Sequence, residues 1–412
     1  MANKLNGLDN SESSMSSGSS DLPAIAGGRP MFEKRLPIVS PEGLPDDGFL
    51  CDVQRILSSR QLTNSTFVRE FEEAAAEYVG VPHCVAVSSC TSGLILILRA
   101  LELQGEVILP SFTFHATAHS VLWNGLKPVF ADCDPETFCI DPRAVKHQVS
   151  PNTAAILAVH LFGNPALVVD LQTIASDQGV PLICDAAHAF GSDLNGRRIG
   201  TFGAAEVFSF SPTKLLVAGE GGMIATRDAD LARKLRAARN YGDSGNYDPD
   251  LAGLNARMSE FHAALALRGL PCLDARITRR NQIRLRYEQR LGSIPGIGFQ
   301  RILPTNRSAC KDFSILVDEA VFGKSRDWLV EAMEQENIQV RRYFWPPVHR
   351  QKLYGDIWDK EPLPVTDRVS SQILNLPIYS TLSTKQIDKV CDAILRSYEF
   401  ANKFGFARAQ RA

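Results

Sequence analysis

Between residues 83 and 226, short runs of β-branched and other apolar residues alternate with stretches of helical periodicity. No other feature constrains the fold as much. Neighbouring strands separated in sequence by helices pair through crossovers, and crossovers build a largely parallel sheet covered by helices. The runs Cys84–Ser88, Glu106–Leu109, Pro128–Ala131, Ala154–Val159, Pro181–Cys184 and Ala205–Phe210 read as buried strands. Phe67, Phe71, Ala75 and Tyr78 recur at helical spacing and stop at Gly80. Further helices are expected near Gly93–Leu101, His115–Trp123, Val168–Gln178 and Asp228–Arg239. The fold class is α/β.

A chain of 412 residues is too long for one compact core. Residues 1–21 are rich in Ser, Asn and Gly and are expected to form a disordered tail. Residues 22–45, punctuated by Pro and Gly, read as an extended N-terminal segment. A large domain is expected over 46–280. From Arg280 a charged amphipathic helix to Leu291 leads into short strands and helices, so 281–412 reads as a smaller C-terminal α/β domain.

The formal charge of -2 leaves no basic footprint for nucleic acid or an anionic membrane. The nine cysteines are scattered, without a C-x-x-C, which fits a reducing compartment better than a disulfide framework. No apolar run approaches the roughly 18–20 residues that span a bilayer. The N-terminus also lacks a basic region followed by an apolar one. A cytoplasmic location is expected.

Open parallel sheets bind ligands at the carboxyl ends of their strands, and several polar residues fall there. Ser89-Cys90-Thr91-Ser92 lies between a strand and a helix, where backbone N–H groups can face an anion; alone, it reads more readily as an ordinary helix cap. There is no GxxxxGK[ST] loop, and Gly219-Glu220-Gly221-Gly222 is not GxGxxG, so the ATP and nicotinamide fingerprints are absent. Asp185 ends a buried strand, where a charge is costly unless paired. Lys214 is the sole charged residue between Glu206 and Glu220. Burial of such a lysine lowers its pKa and yields the neutral amine that Schiff-base chemistry needs. His115 and His119 lie four apart without a third ligand, so no metal site is expected.

The ordered set LTNSTFVREFEEAAAEYVGVPHCVAVSSCTSGL (62–94), LPSFTFHATAHSVLWNGLKPVFADCD (109–134), VHLFGNP (159–165), ICDAAHAFGSDLNGRRIGTFG (183–203), VFSFSPTKLLVAGEGGMIAT (207–226) and GLNARMSE (253–260) resembles the DegT/DnrJ/EryC1/StrS family of pyridoxal-phosphate (PLP) sugar aminotransferases. The resemblance covers roughly residues 40–400. It implies a type I, aspartate-aminotransferase-like fold with a mostly parallel seven-stranded sheet. It implies that Lys214 carries PLP as a Schiff base, that Asp185 bonds the pyridinium nitrogen, and that Phe114 stacks on the ring. Cys90, Thr91 and Ser209 would hold the phosphate, and His188 would lie beside the cofactor. Asn255 would reach the phosphate of the neighbouring subunit in a homodimer with shared active sites, with Arg257 lining the same cleft. The implied reaction moves an amino group from L-glutamate to a nucleotide-linked keto sugar, with DAAHA resembling the branch that acts at C4. Two other readings are a cyclitol aminotransferase using glutamine, which Ala26-Gly27-Gly28-Arg29-Pro30 mildly resembles, and a non-catalytic PLP-binding regulator. The sequence departs from the family at Cys90, where Gly is usual and a side chain could crowd the phosphate, at Cys184, where an acid is common, and at Leu215, where Asn is frequent.

Overall fold

The computed structural model describes residues 22–42, 47–358 and 362–409, with side chains to residue 403. The tail expected over 1–21 lies outside the described residues. The strands, in chain order, are β1 (His83–Val87), β2 (Glu106–Pro110), β3 (Lys127–Ala131), β4 (Thr153–Val159), β5 (Leu182–Asp185), β6 (Asp193–Leu194), β7 (Arg197–Arg198), β8 (Ala205–Ser209), β9 (Gly222–Thr226), β10 (Ile297–Phe299), β11 (Asn306–Arg307), β12 (Phe313–Val317) and β13 (Ile373–Leu376).

Seven of them form the central sheet, in the order β1-β9-β8-β5-β4-β2-β3. The pairs β8–β5, β5–β4, β4–β2 and β2–β3 are parallel, as the alternating pattern requires. Strand β9 runs antiparallel to both of its neighbours. It follows β8 with no intervening helix, and a direct connection between adjacent strands reverses direction. The loop that makes this reversal carries Lys214. Every residue of β2, β5 and β9 is buried, consistent with helices on both faces.

Two hydrophobic clusters underlie the fold. The first surrounds the central sheet. The second surrounds an antiparallel sheet of order β10-β12-β13. Helix Leu273–Leu291 feeds both, with Leu273 and Ile277 in the first and Ile283, Tyr287 and Leu291 in the second. The chain then folds back. Val348, Tyr354, Trp358, Leu363 and Val369 rejoin the first cluster, fixed by the amide of Val348 on the Ser111 carbonyl at 3.0 Å. This return brings Tyr343 and Phe344 to the end of the central sheet.

The N-terminal segment is tied down more firmly than an extended strap requires. The buried Glu336 carboxylate accepts the amides of Ala24 (2.8 Å) and Met31 (2.7 Å), and Leu36 pairs with Ile338 as an isolated bridge. The first large helix, Asp47–Ser59, precedes the earliest helix expected from periodicity. Its buried residues are only Asp52 and Ile56, while Leu50 and Leu57 are exposed, so its pattern offers little to read.

One long-range contact sets up the polar loop at 253–258. Helix Thr66–Val79 lacks a side-chain cap of its own. Glu260 supplies it from far along the chain, accepting the amides of Ser65 (2.7 Å), Phe67 (2.8 Å) and Val68 (3.2 Å). A buried carboxylate is thereby satisfied by a helix N-terminus, where negative charge is favourable.

Candidate active site

Gly222 pairs with Val87 on one side and with Ser209 on the other. The carboxyl ends of β1 and β8 therefore lie together. A Cβ at Gly222 would sit 2.7 Å from the Cys90 amide nitrogen and 2.7 Å from the Ser89 carbonyl carbon, so only glycine allows this approach. The helix Cys90–Ala100 starts at that point. Ser89 caps it by accepting the Ser92 amide at 3.0 Å, while Ser92 Oγ accepts the Ser89 amide at 3.0 Å. That reciprocal cap leaves the amides of Cys90 and Thr91 to face an anion.

Asp185 closes β5, level with Val159 of β4 and Val207 of β8. Its Oδ2 accepts Thr117 Oγ1 at 2.8 Å and its Oδ1 accepts the Ala187 amide at 3.0 Å. Thr113 Oγ1 lies 3.0 Å from Thr117 Oγ1 and extends the chain of hydroxyls. The sulfur of Cys90 lies 3.8 Å from Asp185 Oδ1 and 3.7 Å from the Val207 carbonyl. Burial, and then the Asp185 charge, push this thiol well above its usual range, so Cys90 packs against the carboxylate as a neutral group.

His188 accepts the Phe162 amide at Nδ1, 3.2 Å away, which leaves the proton of the neutral ring on Nε2. Burial lowers its pKa well below the ordinary value, and Lys214 and Lys311 add to the effect. Phe162 has a positive φ of 59° and stacks on His188 with the ring planes 11° apart.

Below this layer lies His160, which is fully buried. Its Nδ1 accepts the Ala166 amide at 3.0 Å, and its Nε2 lies 3.1 Å from Glu206 Oε2. Glu206 Oε1 accepts the amides of Gly200 and Phe202, each at 2.7 Å. Glu206 is the register partner of Cys184. The acid missing at 184 is thus present one strand over, at the same level of the sheet. The ligand atoms of His160, Cys184 and Glu206 lie within 4.8 Å of one another, and hydrogen bonds already satisfy the imidazole and the carboxylate.

Lys214 lies in the β8–β9 loop, its amide on the Ser211 carbonyl at 3.0 Å. The enclosing protein lowers its pKa to about 8; burial is the main cause and Lys311 the next. Lys214 lines a cavity of about 360 Å³ together with Cys90, Thr91, Phe114, Asp185, His188 and Ser209. All the expected residues of this chain's own half-site therefore converge. Phe114 is 48% exposed, with its ring open at the mouth.

Asn255 and Arg257 are not among the residues that line the cavity. They bond each other, Arg257 Nε to Asn255 Oδ1 at 3.2 Å, and Arg257 also reaches Asn240 Oδ1 at 3.3 Å. His115 lies against Phe114, and His119 Nδ1 lies 2.6 Å from the Tyr354 hydroxyl. Sequence reasoning missed Thr117, Lys311, Asp312, Tyr343 and Phe344. Thr117 carries a signal in retrospect, as a polar residue on a helix face that the apolar pattern buries.

The sequence profile of the DegT/DnrJ/EryC1/StrS aminotransferase family matches residues 46–395. The chain belongs to this family. It is 34% identical over 373 residues to the dTDP-4-amino-4,6-dideoxy-D-glucose transaminase of Escherichia coli, covering 89% of this chain and 99% of that protein. It is 33% identical over 354 residues to the UDP-N-acetyl-3-dehydro-alpha-D-glucosamine 3-aminotransferase of Acidithiobacillus ferrooxidans, covering 85% and 94%. The crystal structure of DesI in the presence of its TDP-sugar product superposes with a TM-score of 0.88 at 37% identity, covering 95% of this chain and 99% of that one. The protein is a PLP-dependent aminotransferase with the fold of its family.

The site fits that cofactor. Its donor set comprises a helix N-terminus for a phosphate, a buried carboxylate for a ring nitrogen, an aromatic face and an amine of lowered pKa. A Schiff base on Lys214 would form from its neutral amine, so the rate at which the cofactor-free chain captures PLP should rise with pH through a midpoint near 8. A stopped-flow pH profile checks this. A rise centred near the ordinary lysine value of about 10.4 would contradict the environment described.

Proposed function

We propose that this aminotransferase moves the amino group of L-glutamate to a nucleotide-linked 4-keto-6-deoxyhexose in amino-sugar biosynthesis. The observation that carries the class of reaction is the Asp185–Lys214 pair in one cavity with an anion-binding helix N-terminus. The likeness to relatives that make 4-amino sugars, and to DesI with its TDP-sugar product, supports the acceptor. The near-equal identity to a 3-aminotransferase shows that overall identity does not separate C4 from C3. The DAAHA sequence around His188 is what favours C4.

The residue roles belong to the same proposal, and the convergence of these side chains on one cavity supports them. When bound, PLP supplies an aldehyde and a pyridine ring that withdraws electrons from the carbon under attack. Lys214 supplies the amine that attaches the cofactor. The same amine would move a proton between the donor's α carbon and C4′ of the cofactor. Asp185, fixed by Thr117 and the Ala187 amide, holds a proton on the ring nitrogen. His188 presents Nε2–H beside the ring. The Cys90 and Thr91 amides and the Ser209 hydroxyl would hold the phosphate, and Phe114 would offer its face to the ring.

We further propose an isologous homodimer in which Asn255 and Arg257 complete the partner's site. Their absence from this chain's own cavity supports that reading. A two-domain division inside helix Leu273–Leu291 is supported by the two hydrophobic clusters. A cytoplasmic location is supported by cysteines that are all free. Among the described residues, no helix is long and apolar enough to cross a membrane.

Product analysis tests the substrate. With glutamate as donor, dTDP- and UDP-linked 4-keto hexoses should be aminated at C4, and 3-keto sugars and scyllo-inosose should turn over at least tenfold more slowly. Amination at C3, or preferred turnover of the cyclitol, would refute the assignment. Mixing tests the dimer. Lys214→Ala and Asn255→Ala homodimers should each be impaired, and mixed dimers should regain up to half of the normal activity per dimer. No recovery on mixing would refute the shared site.

A further inference from the structure

The cavity has two ends. One is the Ser89–Thr91 turn. At the other, beyond Lys214 and His188, Lys311 and Asp312 enter from the segment between β11 and β12. The backbone there is fixed. The Lys311 amide donates to the Phe162 carbonyl at 2.9 Å, and the Lys311 carbonyl accepts Arg280 Nη1 at 3.0 Å. The Lys311 side chain is 7% exposed and that of Asp312 is 9% exposed. The ammonium lies 2.9 and 3.0 Å from the two Asp312 oxygens and 5.6 Å from the centre of the Tyr343 ring.

A buried ion pair is weak as a stability device, since apolar residues of similar volume often serve as well. Its place on the wall of the reactive cavity gives it a different use. An α-amino acid carries its carboxylate on the carbon next to the reacting nitrogen. When that nitrogen takes the place of the Lys214 amine, the carboxylate must lie against the neighbouring wall. In a cavity with largely apolar lining an unpaired carboxylate is costly. Asp185, Glu220 and Asp312 all repel it. Among the described residues, the cations lining the cavity from this chain itself are Lys214 and Lys311, and Lys214 is committed to the amine exchange, while Arg257, proposed for the partner's site, bonds Asn255 and Asn240. An ammonium has three N–H groups, and the two Asp312 oxygens occupy at most two.

We propose that Lys311 binds the α-carboxylate of the amino donor, and that Asp312 holds the ammonium until the donor carboxylate competes for it. The inference rests on the aminotransferase reading and deepens it by assigning the residue that would select a donor with an α-carboxylate over amines without one. Lys311 belongs to the binding of one substrate, and the keto-sugar acceptor does not need it.

Equilibrium binding to the cofactor-free full-length chain tests this without turnover. Three probes are compared: pyridoxamine phosphate, the reduced conjugate of PLP with L-glutamate, and the same conjugate with its α-carboxylate converted to the amide. Lys311→Met should weaken the glutamate conjugate roughly 10- to 100-fold, the range of a charged hydrogen bond. It should leave the other two probes within about threefold, a change small beside a charged hydrogen bond. Asp312→Asn should tighten the glutamate conjugate, because it removes a competitor for the ammonium. Lys311→Arg should recover part of the lost affinity. A purely structural ion pair predicts that both variants weaken all three probes alike, and that result would overturn the proposal. Equal binding of acid and amide conjugates by the unaltered chain would overturn it too. If the unaltered chain binds none of the probes, the PLP reading fails first and the carboxylate site with it.

Discussion

The carboxylate of Asp185 is buried, yet it is held from two directions, by Thr117 on the helix His115–Trp123 and by the Ala187 amide beyond its own strand. A charge in such a place is tolerable only where partners are fixed in advance. The neighbouring strands provide that fixity. His160 donates its backbone amide to the Asp185 carbonyl at 3.1 Å, and its ring is tied to Glu206 on β8. Three adjacent parallel strands are therefore tied together by hydrogen bonds around Asp185. The sheet sets the position of this carboxylate in advance, which is the kind of preorganisation that electrostatic catalysis requires.

Two amines and three carboxylates line the cavity around that anchor. Lys214 and Lys311 face Asp185, Asp312 and Glu220 across a largely apolar lining. Burial depresses the protonation of Lys214 and His188 and raises that of Cys90, so all three are pushed toward their neutral forms. These surroundings favour a neutral amine at Lys214 and a neutral imidazole at His188, and a neutral thiol packs against the carboxylate without repelling it. The same low-polarity surroundings thus prepare three side chains for different work.

Legibility in the sequence followed the physics of burial. Parallel strands covered on both faces are near-continuous apolar runs, and β2, β4, β5 and β8 stood out for that reason. Lys214 was legible because it is a lone charge in an apolar run. Lys311 obeys the same rule but sits beside Asp312, and two adjacent opposite charges look like ordinary surface polarity. Helix Asp47–Ser59 buries little and leaves little pattern. Cys184 read as a departure from the family, and only strand register shows Glu206 standing beside it. Asn255 and Arg257 were legible only through the family resemblance, and a single chain keeps them out of its own cavity.

The central claim is that one lysine, in the loop between β8 and β9, attaches the cofactor. Borohydride reduction of the purified holoprotein followed by peptide mapping tests it directly. The account predicts loss of the visible absorbance and a single phosphopyridoxyl adduct on Lys214. An adduct on Lys311 or on any other lysine, with Lys214 unmodified, would contradict it.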